Sequence, residues 1–429
     1  MTVKPHPAYR PTNLGWADEL PQGWSESRLG RLARIYAGGT PDKTKLEYWR
    51  DGTIPWINSG AVNQGMVTDV SAMITDDAFA NSSARWVRPG ALVVALAGQG
   101  KTKGMVAQMA IAATCNQSMA AVEPQRELYE RYLYWWLSSN YRNIRSMGGG
   151  DLRDGLNLVH IGSIPVPLPS IHEQRQIAEF LDAHTAKIDL LIGKQERLIE
   201  TLAERLNGGW SADVSDLISE FQNVPLRRVI DSIVDGPFGS SLTSAHYSDK
   251  GASVVRLGNI GIDEFKMEDR AYISAEYAQL LSAHAVKPGD VIVAGLGDEK
   301  MPLGRAAIVP DSFGTGIVKA DCYRVRPGKR VTSEYLAWIL SSPQSRTQFR
   351  ALSRGSTRQR LNTQVVRDVV IPLPAIEVQK EVVAKFRDAR QANATLEAKA
   401  REMIDILKER RQALISAAVT GKIDVRGLS

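Results

Sequence analysis

The sequence predicts an α+β protein with two similar globular domains, separated by two long antiparallel coiled-coil helices related by pseudo-twofold symmetry. Three observations predict this. The chain is written twice with a period of about 200 residues, far too long for a solenoid unit and right for a duplicated domain. Each copy ends in a proline-flanked helical stretch, and each stretch carries an apolar repeat of about 3.5 residues, the period that keeps one stripe facing a partner helix.

The repeat is fixed by several anchors. Trp86-Val87-Arg88-Pro89-Gly90-Ala91-Leu92-Val93-Val94-Ala95 matches Ala285-Val286-Lys287-Pro288-Gly289-Asp290-Val291-Ile292-Val293-Ala294, a turn followed by a buried strand. Tyr132-Leu133-Tyr134-Trp135-Trp136-Leu137-Ser138-Ser139 matches Tyr335-Leu336-Ala337-Trp338-Ile339-Leu340-Ser341-Ser342, a short apolar helix. Leu156-Asn157 matches Leu361-Asn362, and Pro167-Leu168-Pro169 matches Pro372-Leu373-Pro374. Each Pro-Leu-Pro opens a long helical pattern, because proline's fixed φ suits a first turn where its missing amide would be unpaired anyway.

These anchors divide the chain. An N-terminal tail covers 1–23, the first domain 24–169, a first helical spacer 170–207, a linker 208–223, the second domain 224–374, a second helical spacer 375–417 and a C-terminal tail 418–429. Asn207-Gly208-Gly209 reads as the stop of the first helix. The expected seam runs through Ile177, Leu181, His184, Ile188, Leu191, Gln195, Leu198, Leu202 and Arg205 in the first helix. In the second it runs through Val382, Phe386, Ala389, Asn393, Leu396, Ala400, Met403, Leu407 and Arg410. Polar seam residues such as His184, Gln195 and Asn393 fix register at a cost in stability. The alternative is that each segment packs only on its own domain. Thirty-odd residues of helix make a spacer of roughly 50 Å.

At 429 residues the chain exceeds one ordinary core, and its 43% hydrophobic and 23% charged residues are those of a folded protein. No run approaches the roughly 18 apolar residues of a membrane span, and MTVKPHPAYRPTNLGWADEL lacks a signal-peptide block, so the expected location is cytoplasmic. Cys115 and Cys322 lie far apart and outside any CxxC spacing, which reads as two buried thiols. The six histidines form no HxH or HExxH, so no metal site is expected.

The net charge of +6 is compatible with a polyanionic partner. Two similar modules on a spacer suit a duplex met at two separated segments, and since one chain supplies both, the half-sites need not be the same sequence. Basic and amide side chains in the loops are the candidate contacts, because Arg and Lys suit guanine or phosphate while Asn and Gln suit adenine. In the first copy these are Thr40, Lys43, Lys45, Gln99, Lys101, Lys103 and Gln117; in the second, Ser240, Ser241, Arg256, Asn259, Lys300, Arg305, Lys319, Arg354, Arg358 and Arg360. The run Arg354-Gly355-Ser356-Thr357-Arg358-Gln359-Arg360 puts three arginines in one loop.

Three catalytic readings compete. Ala95-Leu96-Ala97-Gly98-Gln99-Gly100-Lys101-Thr102 resembles a relaxed P-loop, which would make the chain an ATP-dependent enzyme acting on DNA through Gly100-Lys101-Thr102, but Gly104 and Met105 to Thr114 do not read as the required helix. Asp290, Asp298 and Lys300 imitate a metal-dependent nuclease, yet the first copy has Ala91 in place of Asp290. The loop and glycine-rich turn of an amino methyltransferase are missing. A scaffold without sequence preference remains the non-catalytic alternative.

Gly38-Gly39-Thr40-Pro41 running to Glu47-Tyr48-Trp49 and Ile54-Pro55-Trp56 resembles the start of a target recognition domain in the specificity subunits of Type I restriction-modification systems. Asp235-Gly236-Pro237-Phe238-Gly239-Ser240-Ser241 through Val255-Arg256-Leu257-Gly258-Asn259-Ile260 resembles another version of that segment. Pro167-Leu168-Pro169 with Glu173-Gln174, Pro372-Leu373-Pro374 with Gln379, and the ending Leu414 to Asp424 resemble the family's helical regions. The resemblance implies a non-catalytic DNA-binding subunit that binds two methyltransferase subunits and two restriction subunits. S-adenosylmethionine, ATP and Mg²⁺ belong to those partners, and no cofactor to this chain. It maps DNA-reading loops onto Gly39 to Lys43, Gly98 to Lys103, Ser240-Ser241 and Gly355 to Arg360. One departure is Gly148-Gly149-Gly150-Asp151-Leu152-Arg153-Asp154, which replaces the Gly-Ser-Thr-Arg type of loop found in the second copy.

Overall fold

A computed structural model describes residues 4–13, 15–98, 100–148, 155–298, 300–353 and 359–426. The chain folds as two compact units: Met1–Gln195 with Glu402–Ser429, and Glu196–Arg401.

In the first unit a five-stranded sheet runs in the order Ala33–Ala37, Met119–Pro124, Leu92–Ala95, Val106–Met109, Met66–Val67. A four-stranded sheet runs Ala72–Ile74, Ile54–Ile57, Ala113–Cys115, Trp86–Val87. The strand Leu92–Ala95 is buried along its whole length because both its faces are covered. Leu92 and Val94 enter a core with Tyr132, Leu133 and Trp136 of the helix Glu130–Ser139, while Val93 and Ala95 enter a second core with Ile57, Val87 and Cys115. Alternation across the strand separates the two sets.

The second unit repeats this plan, without a counterpart of the Met66–Val67 edge strand and with Tyr247–Ser248 as an added edge strand on the other sheet. Its four-stranded sheet runs Ile230–Val234, Cys322–Pro327, Val291–Ala294, Ala306–Ile308. Its five-stranded sheet runs Tyr247–Ser248, Tyr272–Ile273, Ala252–Val255, Gly316–Val318, Ala285–Val286. Val291 and Val293 face Tyr335 and Trp338, whereas Ile292 and Ala294 face Val255, Val286 and Val318. A small antiparallel pair closes each unit, Pro165–Leu168 with Ser25–Arg28 in the first and Val370–Pro372 with Asn223–Pro225 in the second.

The long helices are Ile171–Glu220 and Ile376–Val419. Each is fastened beside its Pro-Leu-Pro by a fully buried glutamine. Gln174 Nε2 donates to the Glu127 and Pro169 carbonyls at 2.9 and 3.0 Å, and its Oε1 accepts from the Tyr129 amide at 2.8 Å. Gln379 makes the same three bonds to Arg330, Pro374 and Thr332. Tyr132 and Tyr335 donate their hydroxyls to Pro167 and Pro372 respectively, at 3.0 and 2.8 Å.

Within each unit the two helical segments run antiparallel. In the first, Arg411 Nε reaches Asp189 at 2.9 Å, and Ile177 and Leu181 share a core with Ile415, Ala418 and Val419. In the second, Asn393 Nδ2 donates to the Leu202 carbonyl at 2.8 Å, and Lys385 meets Asp213 at 2.6 Å.

Three expectations are corrected. The first helix does not stop at Gly208-Gly209 but continues to Glu220, so 208–223 is not a linker. Trp210, Val214 and Leu217 on the continuation are buried in the second unit's core, with Trp210 4.5 Å from Phe386, and this burial outweighs the roughly 1 kcal/mol that each helical glycine costs. The seam is shifted at alternate positions: Leu191, Leu198, Leu396 and Met403 are 45%, 41%, 46% and 46% exposed. The inward positions lie one residue further on, at Ile192, Ile199, Glu397 and Ile404, all half-buried or buried, and Thr185 replaces His184 in the same way. Ile177, Leu181, Ile188, Leu202, Phe386 and Leu407 are buried and Val382 is half-buried. Finally, the termini are not tails. Strands Tyr9–Pro11 and Glu19–Pro21 pair, Leu20 and Trp24 enter the core, and Lys4 bridges to Asp424. A polar cluster fixes this closure, with His6 Nε2 3.5 Å from Glu173 and Arg426 paired bidentately to Asp424.

Candidate nucleic-acid interface

In each unit the same loops are gathered at one end of the sheets by backbone bonds. In the first, Leu96 donates to the Ser118 carbonyl, Leu156 to the Leu96 carbonyl and Gly39 to the Cys115 carbonyl, each at 2.8 Å. This brings the segments around Gly39, Gly98 and Gln117 together. In the second, Gly295 donates to Asp321 at 2.7 Å and Leu361 to Gly295 at 3.0 Å, while Leu296 bridges to Arg360. That gathers the Ser240, Lys300, Asp321 and Arg360 segments in the same way.

The first copy's cluster is rigid beneath and polar outside. Gly39 is buried, and a side chain there would collide with the Ser83–Ala84 backbone, so this glycine serves close packing. Trp56 Nε1 donates to the Gly39 carbonyl at 3.0 Å and Trp49 Nε1 to Asp42 at 3.1 Å. Thr40 is hydrogen-bonded to Gln117. Beside them Lys43, Leu46, Trp49, Trp56, Asn58 and Asn116 line a cleft of about 270 Å³. Asn58 and Asn116 were not singled out in the sequence, whereas Trp49 and Trp56 stood in the segment Glu47 to Trp56 that carried the resemblance. Lys43 and Lys101 are exposed.

The second copy is built on acidic residues. Asp235 Oδ1 accepts from the amides of Gly236 and Asp321 at 2.7 and 3.2 Å, and burial pushes its carboxyl up to about 6. Asp321, at φ 67°, pairs with Arg360 at 2.6 Å. The Arg360 guanidinium also lies over the Phe238 ring at 5.2 Å. Ser240, Ser241 and Lys300 are exposed.

Several candidate contacts are corrected by burial. Asn259 is 1% exposed: its amide donates to the Lys266 and Asp269 carbonyls and its oxygen accepts from the Arg256 amide. Arg305 is 4% exposed, its guanidinium shared among the carbonyls of Leu257, Ile260, Leu296, Met301 and Pro302. Lys103 is also 4% exposed, so its side chain is inside. These cations order the fold around the loops. Arg256 is ion-paired with Asp269. Gln99, Arg354 and Arg358, with Gly355 to Thr357 and Gly149 to Asp154, lie outside the described residues.

The catalytic look-alikes resolve into structure. Gly98, Gly100 and Gly104 have positive φ, and Thr102 leads through a turn into the strand Val106–Met109 rather than a helix, so the phosphate-binding arrangement of a P-loop is not formed. Asp290 is 1% exposed and held bidentately by Arg326 at 2.8 and 2.9 Å, an internal ion pair rather than a metal ligand. Cys115 and Cys322 are buried free thiols, and burial pushes the Cys115 thiol up to about 12.

The model of the Type I restriction modification DNA specificity domain matches residues 21–200 and 262–404, three quarters of the chain and part of each copy. The chain belongs to this family of specificity subunits. It is 20% identical over 435 residues to the Type I restriction enzyme MjaVIII specificity subunit of Methanocaldococcus jannaschii, covering 96% of this chain and 95% of that one. It is 30% identical over 158 residues to the EcoR124I/EcoR124II specificity subunit of Escherichia coli, covering 36% and 39% respectively. A chain from a solved structure described as "Structural basis underlying complex assembly and conformational transition of the type I R-M system" superposes with TM-score 0.74 at 19% identity, over 94% of this chain and 99% of that one. The HsdS subunit of Thermoanaerobacter tengcongensis superposes with TM-score 0.56 at 19% identity, over 94% and 98%. As a specificity subunit the chain belongs to DNA sequence recognition and not to catalysis. Among the described residues no helix is long and apolar enough to cross a membrane.

Proposed function

We propose that this specificity subunit reads a bipartite DNA target, one half-site per unit, and docks methyltransferase and restriction subunits that do the chemistry with S-adenosylmethionine, ATP and Mg²⁺. The observation that carries the reading is the repeated loop cluster: the Leu96–Ser118 and Gly295–Asp321 bonds hold corresponding loops on corresponding strands, with different side chains at the tips. A common frame with different tips is what two unlike half-sites require. Lys43, Lys101, Ser240, Ser241, Lys300 and Arg360 are the described contacts to DNA in this reading, with Thr40 and Gln117 beside them. Docking is supported by the large apolar side chains that the helical segments of each unit leave uncovered, Leu190, Leu191, Met403 and Ile406 in the first and Leu198 and Leu396 in the second, with Leu190 and Ile406 at 60% and 50% exposure.

Co-expression with the methyltransferase partner, followed by long-read mapping of methylated bases, tests the reading. The expected motif has two specified parts separated by an unspecified gap. A single continuous motif would overturn it, as would methylation whose pattern is unchanged when the loops of one unit are replaced.

A further inference from the structure

Phe238, at the end of the motif Asp235-Gly236-Pro237-Phe238, lies under the Arg360 guanidinium. We infer that Asp321 and Phe238 are positioning residues that aim Arg360 at a guanine in the half-site read by the second unit. The inference rests on the proposed DNA-reading function and adds the base and the residues that select it.

What a guanidinium can contact depends on which of its edges remain free. Asp321 holds Arg360 at Nε, 2.6 Å away, and the flat face lies over the Phe238 ring at 5.2 Å. Nearly half the side chain, 48%, is still open to solvent. With Nε ion-paired to Asp321, one face stacked on Phe238 and the Tyr323 hydroxyl alongside, the half-exposed guanidinium still has terminal N–H groups to offer, which a guanine O6 and N7 pair can accept in the major groove.

The anchor is itself secured. Asp321 sits at φ 67°, a conformation uncommon for a residue with a side chain, and its amide is held by the Asp235 carboxylate at 3.2 Å. Gly236 passes so close to the Lys319–Ala320 backbone that a side chain would collide there, which fixes the path that delivers Phe238. Phe238 is 51% exposed, a large apolar ring at the surface whose described role is to floor the guanidinium. The backbone of Arg360 is pinned by its bridge to Leu296, and that of Leu361 by Tyr323, whose hydroxyl donates to its carbonyl at 2.5 Å. At the place of Phe238 the first unit has Thr40, bonded to Gln117, so this aiming device belongs to one half-site.

The test uses the full chain assembled with its methyltransferase subunits and measures competition binding to duplexes carrying each base at every specified position, at two salt concentrations. Arg360→Ala should reduce the preference for guanine at one position of one half-site by roughly 5- to 100-fold, leaving the other half-site unchanged. Asp321→Asn, which tolerates the positive φ and removes the charge, and Phe238→Ala should each reduce preference at that same position by a smaller factor. Phe238→Tyr should restore it. Uniform weakening on every sequence by Arg360→Ala, with a shallower salt dependence, would make Arg360 a phosphate contact and overturn the inference. So would an affected base other than guanine, or selectivity untouched by both Asp321→Asn and Phe238→Ala. A wild-type complex with no two-part selection would sink the functional reading along with it, whereas a selective wild type with an indifferent Arg360→Ala sinks this inference alone.

Discussion

The two units share their framework and differ where the framework ends. Gln174 and Gln379 make the same three bonds, Tyr132 and Tyr335 reach the same Pro-Leu-Pro carbonyl, and Gly90 and Gly289 have the same φ of 85°. Beyond the strands the copies part. Ala91 stands where Asp290 forms its buried pair with Arg326, and Thr40 stands where Phe238 carries Arg360. The positions that dock a helix onto a domain are alike in the two copies, and each satisfies buried or half-buried backbone groups. Loop tips bear no such obligation and are where the copies diverge.

If the glutamines are equivalent, removing them must cost the same in both units. Gln174→Ala and Gln379→Ala each strip two buried carbonyls and one amide of their partner, an expected loss of about 3 kcal/mol. Equilibrium urea unfolding of the two single variants checks this. Unequal losses, differing by more than about 1 kcal/mol, would show that the copies use this contact differently despite its common geometry.

A sharper difference lies at one residue of positive φ. The first unit places Gly65 there, at φ 68°, after the strand Ile54–Ile57; the second places Asp263, at φ 51°, after Ala252–Val255. Burial pushes the Asp263 carboxyl up to about 6 despite Arg387 and Arg390 nearby. Below the ordinary carboxylate range, near pH 3 and under, the group is protonated in both folded and unfolded chains and its stabilising preference for the folded state is complete. As pH rises through 6 the unfolded chain has released its proton and the folded chain must follow, so that stability is lost. Asp263→Asn removes the charge and still tolerates positive φ. It should stabilise the protein at pH 7.5 by on the order of 2 kcal/mol and have little effect near pH 3. Thermal unfolding of both proteins at the two pH values measures this; a variant less stable than the parent at pH 7.5 would mean that the Arg390 and Arg387 attractions outweigh the burial.

The duplication and its central strands were legible in the sequence because they rest on spacing that burial enforces: Leu92 to Ala95 and Val291 to Ala294 are short apolar runs after a Pro-Gly turn, covered on both faces in the fold, whereas the order of strands in the sheets was not read. The seam was legible at every second position. Leu190-Leu191-Ile192 and Leu198-Ile199 offer adjacent apolar residues, and only the partner helix decides which one turns inward. Arg305 and Lys103 read as surface cations because a sequence does not display the carbonyls that converge on a buried guanidinium, nor how a lysine stem is enclosed. Phe238 stood within a recognised motif, but its purpose depends on Arg360, more than a hundred residues away.

The smallest effect concerns helical glycines that both units contain. Gly193 lies in the first unit's part of the long helix and Gly208 and Gly209 in the second's; all three are exposed, and an added Cβ would meet no atom within 4 Å. Nothing at these positions requires glycine, so the conformational freedom it gives the unfolded chain is pure loss. Alanine at each should stabilise by about 0.5–1 kcal/mol, and thermal unfolding should show Gly193→Ala and Gly208→Ala shifting the midpoint upward by similar small amounts. A glycine whose replacement leaves stability improved but weakens assembly with the methyltransferase would mark the helix surface where a partner backbone approaches closely, which Cβ clearance in the isolated chain does not reveal. Equal stabilisation with undiminished assembly would place the docking contacts elsewhere, on the apolar side chains such as Leu190 and Ile406.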